Sequence, residues 1–329
     1  MVLVDDADMA EKSYKRVRHR LTTLLGTSRL SSPEGLFRQW NRPATTDTIS
    51  TIAPWGWDSA LKSALLRKGY ASDTMPSDDV LADIRQLSHR RTAAAVLHNI
   101  ITSSGDAADM YLFGNRLTGI SYECTTVDEV CELLSRHQQI VAKAPWSSSG
   151  RGLRFLDKSR NTISLQEGWL RNVIARQGSV MVEPYYNKVK DFGMEFEALV
   201  DGSVNYLGLS LFHTSNGQYA GNILATEVAK RQMISRYISP DIIDLMARRL
   251  ACELSATCRG RYQGPLGVDM MVVAEPDGKL FLLHPCVEIN MRRTMGHVAL
   301  SLHPASDELS FVMRTEYANN YYQLKSSRL

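Results

Sequence analysis

The stretch HPCVEINMRR, residues 284–293, carries the most chemical information in this sequence. It continues an apolar run that is typical of a strand, and side chains two positions apart in a strand share a face. Glu288 and Asn290 therefore point the same way. Another acidic residue, Asp269, lies in the preceding apolar strand, GVDMMVV. Two carboxylates and an amide oxygen from adjacent strands predict a magnesium site between phosphate groups.

The spacing of these residues leaves two arrangements open. If the turn between the strands is centred on Pro276–Asp277, then Asp269 lies opposite His284. A bulge next to His284 would bring Asp269 opposite Glu288, because the proline that follows cannot donate to the ladder. Without that bulge, His284 and Cys286 occupy the metal positions, and a zinc site becomes the alternative. The pattern E-x-N-x-R favours the bulge and magnesium.

A second informative stretch is KAPWSSSGRGL, residues 143–153. The short strand QIVAK runs into it, and its small polar residues bury almost nothing. The backbone N–H groups of such a loop can face phosphates while a lysine neutralises their charge. It is neither a Walker A loop nor GxGxxG, and an ordinary surface loop is the alternative. The candidate phosphate-binding residues are Lys143, Ser147, Ser148, Ser149, Gly150, Arg151 and Gly152.

A third stretch, VMVEPYY, ends a strand at Glu183 and Pro184. The last backbone groups of such a strand can pair with an adenine edge, and Asp191 could accept hydrogen bonds from a ribose. Either acid could equally be a solvated surface residue. Three further places supply candidate substrate contacts. Arg293 follows Arg292, and Tyr219 lies in the segment FHTSNGQYAGN, which we interpret as a mobile loop. Gly296 and His297 lie at a predicted helix start.

Taken in order, Lys143 with SSSGRG, VMVEPYY, GVDMMV and VEINMRR resemble the ATP-grasp superfamily of carboxylate–amine or carboxylate–thiol ligases. The resemblance covers about residues 85 to 300. It implies an α/β fold in three parts with ATP between the last two. These are a pre-ATP-grasp α/β domain over residues 1–85, a small lobe with the glycine-rich loop over 86–180, and a C-terminal lobe with the metal strands over 181–329.

The resemblance also implies roles for the candidate residues. Lys143 would bind the α- and β-phosphates of ATP, and the loop after it would cover the β- and γ-phosphates. Arg90 or Arg91 would take the place of an earlier basic residue, where lysine is more usual. Adenine would be bound by Glu183, Pro184 and Tyr185, and the ribose by Asp191. Two Mg²⁺ would be bound by Asp269, Glu288 and Asn290, and Arg292 would contact the transferred phosphoryl group.

The reaction implied by the resemblance activates a small-molecule carboxylate as an acyl phosphate. An amine or thiol then attacks it, and ADP and phosphate are released. Lys143 and Arg292 would be the catalytic residues, because they neutralise and position the reacting groups. An ATP-dependent small-molecule kinase and a non-catalytic nucleotide-binding regulator are the alternatives. Relatives of this kind are often dimers, so a homodimer is possible.

Composition sets the broad class. Of 329 residues, 44% are hydrophobic and 22% charged, as in an ordinary globular protein, and a net charge of +3 does not argue for a nucleic-acid partner. The basic run Lys12–Arg20 is interpreted as a solvated helix face. We expect no membrane partner, since no apolar segment approaches about 20 residues. Five cysteines without CxxC spacing, and no signal-peptide pattern, predict a cytoplasmic protein.

Local patterns predict several further elements. Thr126 and Glu129 form a capping box that opens a helix. Asp201–Gly202 is a hairpin turn signal, and residues 77–101 have a helical period. The segment STIAP, residues 50–54, is predicted to be a short strand. An amphipathic helix is predicted with Ile243, Met246, Leu250 and Leu254 on one face.

Overall fold

The computed structural model describes residues 2–4, 7–25, 37–39, 51–103, 116–147, 152–215, 218–318 and 321–329. The strands are β1 (Val2–Val4), β2 (Phe37–Gln39), β3 (Tyr122–Cys124), β4 (Gln139–Lys143), β5 (Leu153–Asp157), β6 (Val180–Pro184), β7 (Lys188–Ala198), β8 (Val204–Ser215), β9 (Gln218–Leu224), β10 (Gly264–Ala274), β11 (Phe281–Asn290), β12 (Phe311–Ala318) and β13 (Tyr321–Arg328). The helices are α1 (Ala7–Leu25), α2 (Ser59–Arg67), α3 (Asp78–Leu87), α4 (Arg90–Thr102), α5 (Val127–His137), α6 (Thr162–Gln177), α7 (Glu227–Ile234), α8 (Pro240–Cys258) and α9 (Met295–Ser301), with a short 3₁₀ turn at Ser72–Thr74.

A seven-stranded antiparallel sheet, in the order β11-β10-β7-β8-β9-β12-β13, forms the larger layer. Apolar side chains alternate along its central strands, so that one face is dry and packs against α8 and α4. The predicted stripe on α8 is confirmed, because its four members are fully buried in this core: Ile243, Met246, Leu250 and Leu254. The other face of the sheet is left free for polar residues.

A four-stranded antiparallel sheet, in the order β3-β6-β4-β5, forms the second layer. Helices α5 and α6 cover it, and together they bury a separate apolar cluster around Val130, Ile140 and Val180. The predicted capping box at the start of α5 is confirmed: the Thr126 side chain accepts from the Glu129 N–H, and the Glu129 carboxylate accepts from the Thr126 N–H. The packed layer therefore holds β4 rigidly at Lys143, where the loop begins.

The β10–β11 hairpin contains the bulge that the sequence required. Near the turn Ala274 pairs with Phe281, a register that would place Asp269 opposite Cys286. The register shifts between Asp269 and Met271, so that Met271 pairs with His284 and Asp269 pairs with Glu288. The extra residues on β11 include Pro285, which has no N–H to donate. The prediction of a bulge beside His284 is confirmed.

Four local predictions need correction. Residues 77–101 form two helices, α3 and α4, because the first helix ends at Ser88 and the His89 side chain caps α4 by accepting from the Arg91 N–H at 3.0 Å.

Residues 51–54 form no strand, and Ile52 packs on the Leu65 cluster instead. The stretch 30–48 is rich in turn-forming residues, which predicts a loop, yet β2 lies within it and pairs with β1. The described part of 212–222 is not a loop, since β8 and β9 pair there.

The remaining predictions of helices and turns hold. The sequence predicts a helix capped by Asp58 or Ser59, and Asp58 caps α2 by accepting from the Leu61 N–H. Asp201–Gly202 turns between β7 and β8. Helix α1 contains the basic run 12–20 and packs Leu21 and Leu25 beside α9 and β12. In the described part of the chain, none of the helices combines the length and the apolar character needed to cross a bilayer. The division into three domains stays a prediction.

Candidate functional site

The polar face of the seven-stranded sheet forms the floor of a cleft with a volume of about 370 Å³. Strand pairing aligns its residues in rows, because side chains directly opposite each other in antiparallel strands share a face. One row contains Glu288, Asp269, Gly193 and Ser210, on β11, β10, β7 and β8 in turn. The next row contains Asn290, Gly267, Glu195 and Gly208. Each row thus combines polar groups with glycines across the floor.

The predicted metal residues lie together in these rows. Asp269 faces Glu288 across the ladder, and the Asn290 amide donates to the Asp269 carboxylate at 3.2 Å. Burial, reinforced by the negative charges of Glu288 and Glu195, raises the pKa of Asp269 to about 7. Two carboxylates and an amide oxygen are a hard donor set, and the repulsion between the carboxylates is what a divalent cation would relieve. This donor set fits Mg²⁺.

His284 and Cys286 do not take part in this donor set. Both side chains are buried, and the bulge places Glu288, rather than His284 or Cys286, opposite Asp269. Within the described residues, no group of three or more His, Cys, Asp and Glu side chains is arranged to hold a metal ion. The register, which pairs Asp269 with Glu288, is what favours oxygen ligands over the zinc alternative.

Arg90 joins the two sheets at the cleft. It is the first residue of α4, and its guanidinium pairs with the Glu288 carboxylate at 3.0 Å and donates to the Ala144 carbonyl at 3.2 Å. A further contact of 3.4 Å reaches the Ser147 hydroxyl. Arg91 points away, because its guanidinium pairs with Glu123 at 3.0 Å. Of the two basic residues that the sequence left open, Arg90 is the one that lines the cleft.

Lys143 lines the cleft from the four-stranded sheet. Its ammonium pairs with the Glu183 carboxylate at 2.6 Å, and both side chains are buried. The pair forms because Val141 lies opposite Glu183, which makes Lys143 the diagonal neighbour on the same face. A buried lysine held in this way has a fixed position and a charge that faces the cleft.

The rest of the predicted adenine and ribose residues divide into two groups. Asp191 lines the cleft, where its carboxylate pairs with Lys188 at 2.6 Å and accepts from the Thr214 hydroxyl at 2.9 Å. Pro184 is the last residue of β6, and Tyr185 follows it outside the strand, where its N–H donates to the Gln139 carbonyl at 3.0 Å. The Tyr185 side chain is exposed.

The structure describes the two ends of the glycine-rich loop, residues 143–147 and 152–153. The Ala144 N–H donates to the Gly152 carbonyl at 2.8 Å, which closes the base of the loop. Ser147 lies beside Arg90, and Trp146 fixes the loop to α3 by donating its indole N–H to the Arg85 carbonyl at 2.8 Å. Four predicted phosphate-binding residues lie outside the described residues: Ser148, Ser149, Gly150 and Arg151.

Arg292 follows the metal residues on β11 and lines the cleft. Its guanidinium donates to the Asn290 side-chain carbonyl at 2.9 Å and to the Arg293 carbonyl at 3.3 Å. Arg293 has an exposed side chain, and its N–H donates to the Trp55 carbonyl at 2.8 Å. The Asn290 side chain thus forms hydrogen bonds to both the Arg292 guanidinium and the Asp269 carboxylate. A movement of either group would therefore shift the other.

The opposite end of the cleft contains the other predicted substrate contacts. Gly296 lies at the start of α9, and the His297 ring reaches the Glu195 carboxylate at 2.9 Å. Thr294 caps α9 by accepting from the Gly296 N–H at 3.0 Å. Tyr219 lines the cleft and donates its hydroxyl to Asn222, which in turn donates to Ser210 at 3.0 Å.

Several lining residues were not identified from the sequence. Glu195, Ser210 and Asn222 lie on β7, β8 and β9, and only the alternation along these strands could have placed them on the same face as Asp269. Lys188, Thr214, Trp55 and Thr294 also line the cleft, with no motif around them. Of the described residues predicted for the site, those outside the lining are Arg91, Ser147, Gly152, Glu183, Pro184, Tyr185, Arg293 and His297.

His284 provides a test of the buried region behind the cleft. It is fully buried next to Tyr186, and burial lowers the pKa of its imidazole to about 4, from about 6.5 in an exposed histidine. Folding therefore favours the neutral ring. The contribution of His284 to the free energy of unfolding is fully present above pH 6.5 and is lost as the pH falls towards 4. This loss amounts to about 3 kcal/mol.

We expect the free energy of unfolding of the wild type to fall by about 3 kcal/mol more than that of His284→Leu between pH 7 and pH 4, measured by urea unfolding. Taking the difference between the two proteins removes the contribution of the carboxylates, which titrate in the same range. Parallel profiles for the two proteins would show that His284 does not resist protonation in the folded chain.

Comparisons with known proteins support the fold. No protein-family model and no curated protein sequence matches the chain. Among solved structures, the chain is similar to a pyruvate carboxylase variant from Rhizobium etli with acetyl coenzyme-A, at 14% identity and a TM-score of 0.51, over 81% of this chain and 24% of that one. It is also similar to N5-carboxyaminoimidazole synthetase from Staphylococcus aureus complexed with ADP, at 12% identity and a TM-score of 0.48, over 86% of this chain and 72% of that one.

A third similar structure is the biotin carboxylase domain of 2-oxoglutarate carboxylase from Hydrogenobacter thermophilus, in complex with MgADP, ADP and bicarbonate. The identity is 14% and the TM-score 0.46, over 70% of this chain and 50% of that one. The chain thus spans only part of the length of these proteins. The predicted fold, mixed helix and sheet with ATP-grasp architecture, is confirmed.

Proposed function

We propose that this chain, which has the ATP-grasp fold, is an ATP- and Mg²⁺-dependent ligase. It would activate a small-molecule carboxylate as an acyl phosphate for attack by a second small molecule. The observation that carries this proposal is the convergence of Asp269, Glu288 and Asn290 with Arg90, Lys143 and Arg292 around one cleft. Hard oxygen donors beside fixed cations are the groups that phosphoryl transfer requires.

The metal residues and the cations have separate tasks. Asp269, Glu288 and Asn290 would hold Mg²⁺, which when bound neutralises phosphate oxygens and acts as a Lewis acid. Lys143 faces the cleft from the four-stranded sheet, and its pairing with Glu183 keeps the ammonium in place for the phosphates of ATP. Arg90, which pairs with Glu288, supplies a second positive charge on the same side.

We assign Arg292 to the reacting groups. Its guanidinium lines the cleft and donates to the Asn290 side-chain carbonyl, beside the proposed metal residues. A guanidinium there can pair with the substrate carboxylate and with the phosphoryl group transferred to it. No side chain needs to act as a covalent nucleophile, because neutralisation and in-line positioning supply the catalysis.

The proposed reaction has two steps. A carboxylate oxygen attacks the γ-phosphorus of ATP, the bond from that phosphorus to the β-phosphate oxygen breaks, and ADP leaves. A nucleophile then attacks the acyl carbon, the bond from that carbon to the phosphate oxygen breaks, and phosphate leaves with the electron pair. The identities of the carboxylate and the nucleophile determine which ligase this is.

Trapping with hydroxylamine tests the proposal without knowledge of the natural nucleophile. The protein would be incubated with MgATP, hydroxylamine and a panel of amino, hydroxy and dicarboxylic acids, with ADP and hydroxamate measured together. We expect one carboxylate class to give both products in equal amounts. ADP with a stable phosphorylated product and no hydroxamate would indicate a kinase, and no ADP with any carboxylate would contradict catalysis.

A further inference from the structure

Basic residues lie on the face of the seven-stranded sheet opposite the cleft, where the apolar core ends. Lys190 pairs with Val272, whose side chain is buried in that core, so the two side chains share this face. His213 follows Phe212 on β8, and since Phe212 lines the cleft, alternation along the strand turns His213 to the opposite face. Lys190 and His213 are both half-buried. They begin a row of residues that crosses the sheet.

Arg314 reaches the same row from β12. His213 pairs with Gly221 across β8 and β9, and the pairing of Met313 with Asn222 places Arg314 beside Gly221 on its other side. A Cβ added to Gly221 would lie 2.8 Å from Arg314 Cγ, so the stem of the arginine lies over the glycine. The centre of the row therefore contains an imidazole and a glycine, flanked by two long cationic side chains.

The spacing of the row suits one compact anion. Neighbouring strands lie about 4.8 Å apart, so the backbones of Lys190 on β7 and Arg314 on β12 are separated by about 14 Å. Long side chains at the two ends can both reach an anion placed over His213 and Gly221. The centre is low because Gly221 has no side chain, which leaves room there for a group of phosphate size.

His213 lies in the positive field of its neighbours. Burial, with the charges of Lys190 and Arg314, lowers the pKa of its imidazole. In the part of the chain that the structure describes, none of these three residues forms an ion pair, and Asp191, the acid next to Lys190, is paired with Lys188 at 2.6 Å. An anion over His213 would therefore be attracted by both cations and would relieve their repulsion.

The Lys190 ammonium is held in place at one end of the row. It donates to the Phe212 carbonyl at 3.0 Å, which leaves it further hydrogens to donate. Burial lowers its pKa, Asp191 opposes this effect, and the charge of Arg236 adds to it. Arg236 is exposed between α7 and α8 and strengthens the positive field at this end.

The other end of the row stops at Arg314. Lys325 lies directly opposite Arg314 on β13, where two like charges are unfavourable. Lys325 is paired with Glu316, so its charge is already balanced. The exposed guanidinium of Arg314 is thus the outermost unpaired cation of the described row.

We propose that Lys190, His213 and Arg314 form a second anion site, which takes a phosphate group as inorganic phosphate or as a small phosphomonoester. The ammonium and the guanidinium donate to the phosphate oxygens, and the imidazole donates a ring N–H. The site does not depend on the proposed ligase function, because it lies on the face of the sheet opposite the cleft. Asp191 lines the cleft from the other face of β7, so the two sites share that strand.

Titration of inorganic phosphate at constant ionic strength, followed by the imidazole signals in NMR spectra, tests the site directly. The His213 signal is the one that His213→Gln removes. We expect phosphate to shift this signal and to raise the pKa of His213, because a bound anion favours the charged ring. Phenyl phosphate is the second probe. Tighter binding of phenyl phosphate would indicate a phosphomonoester as the ligand, and weaker binding would indicate free phosphate. A His213 pKa that neither probe changes would overturn the proposal.

Variants locate the bound phosphate. Lys190→Met and Arg314→Met keep the apolar stems and are each expected to weaken phosphate binding at least about tenfold by calorimetry. Lys279→Met, exposed in the turn between β10 and β11, is the matched control. Equal weakening by Lys279→Met would show a response to net charge alone and would contradict the site. Arg292→Met, in the cleft, is expected to leave the His213 response unchanged. If Arg292→Met abolished phosphate binding while Lys190→Met and Arg314→Met kept it, phosphate would bind in the cleft and the proposal would be wrong.

Discussion

Replacing Arg292 with methionine is expected to lower carboxylate-dependent ADP release by about 10³-fold while nucleotide binding changes little. The guanidinium is held by Asn290 at 2.9 Å beside the metal residues, where negative charge develops in phosphoryl transfer. Fixed donors and arginines at such positions contribute about 10²- to 10⁵-fold to rates. Methionine keeps the length and apolar stem of the side chain, so the change removes charge and hydrogen bonds with little loss of packing.

Initial rates of ADP release, with ATP affinity measured by calorimetry on the same samples, check this expectation. Arg248→Met is the matched control, because Arg248 is exposed on α8 away from the cleft. A variant at Arg292 that binds ATP and releases ADP at the wild-type rate would show that the guanidinium does not serve the transferred group. Loss of ATP binding in the same variant would place Arg292 in the nucleotide site instead.

Replacing Lys143 with methionine is expected to lower the free energy of unfolding by about 3–5 kcal/mol. The change leaves the Glu183 carboxylate buried without its partner, which lay at 2.6 Å, and an uncompensated buried charge carries that cost. Combining Lys143→Met with Glu183→Leu removes both charges and is expected to restore most of the lost stability. The double variant is still expected to bind ATP at least about tenfold more weakly, since the ammonium that faces the phosphates is gone.

Urea unfolding of the single and double variants, followed by calorimetry with ATP, separates the two effects. Lys158→Met is the control, because Lys158 is exposed after β5. A double variant that regains both stability and wild-type ATP affinity would mean that Lys143 serves the structure alone. A single variant as stable as the wild type would mean that the Lys143–Glu183 pair is solvated in solution.

The convergence of Asp269, Glu288 and Asn290 could be predicted from the sequence because the information for it is local. Glu288 and Asn290 are two residues apart in one apolar strand, and Pro285 marks the bulge that brings Asp269 opposite Glu288. The capping box at Thr126 is likewise complete within a few residues. In each case the residue types and their spacing fix the local geometry before any long-range contact is considered.

The position of Glu195 and Ser210 beside Asp269 could not be predicted, because it depends on the register between β7 and β10, two strands that lie far apart in the sequence. Glu195 and Ser210 reach one face only through the pairing of β7 with β10 and of β8 with β7. The Arg90–Glu288 pair joins α4 to β11 across most of the chain. The break at His89 was missed for a different, local reason: the apolar period continues through it, while the His89 side chain accepts from the Arg91 N–H and begins a new helix.

Calorimetric titration of ATP, with and without Mg²⁺, into the wild type and Glu288→Gln tests the central claim most directly. Glu132→Gln, on the exposed side of α5, serves as the control. We predict that Mg²⁺ tightens ATP binding to the wild type and to the control, and that Glu288→Gln weakens this metal-dependent binding at least about tenfold. A wild-type chain that fails to bind ATP, or a Glu288→Gln variant with the same metal dependence as the wild type, would contradict the assignment of the cleft as a nucleotide and metal site.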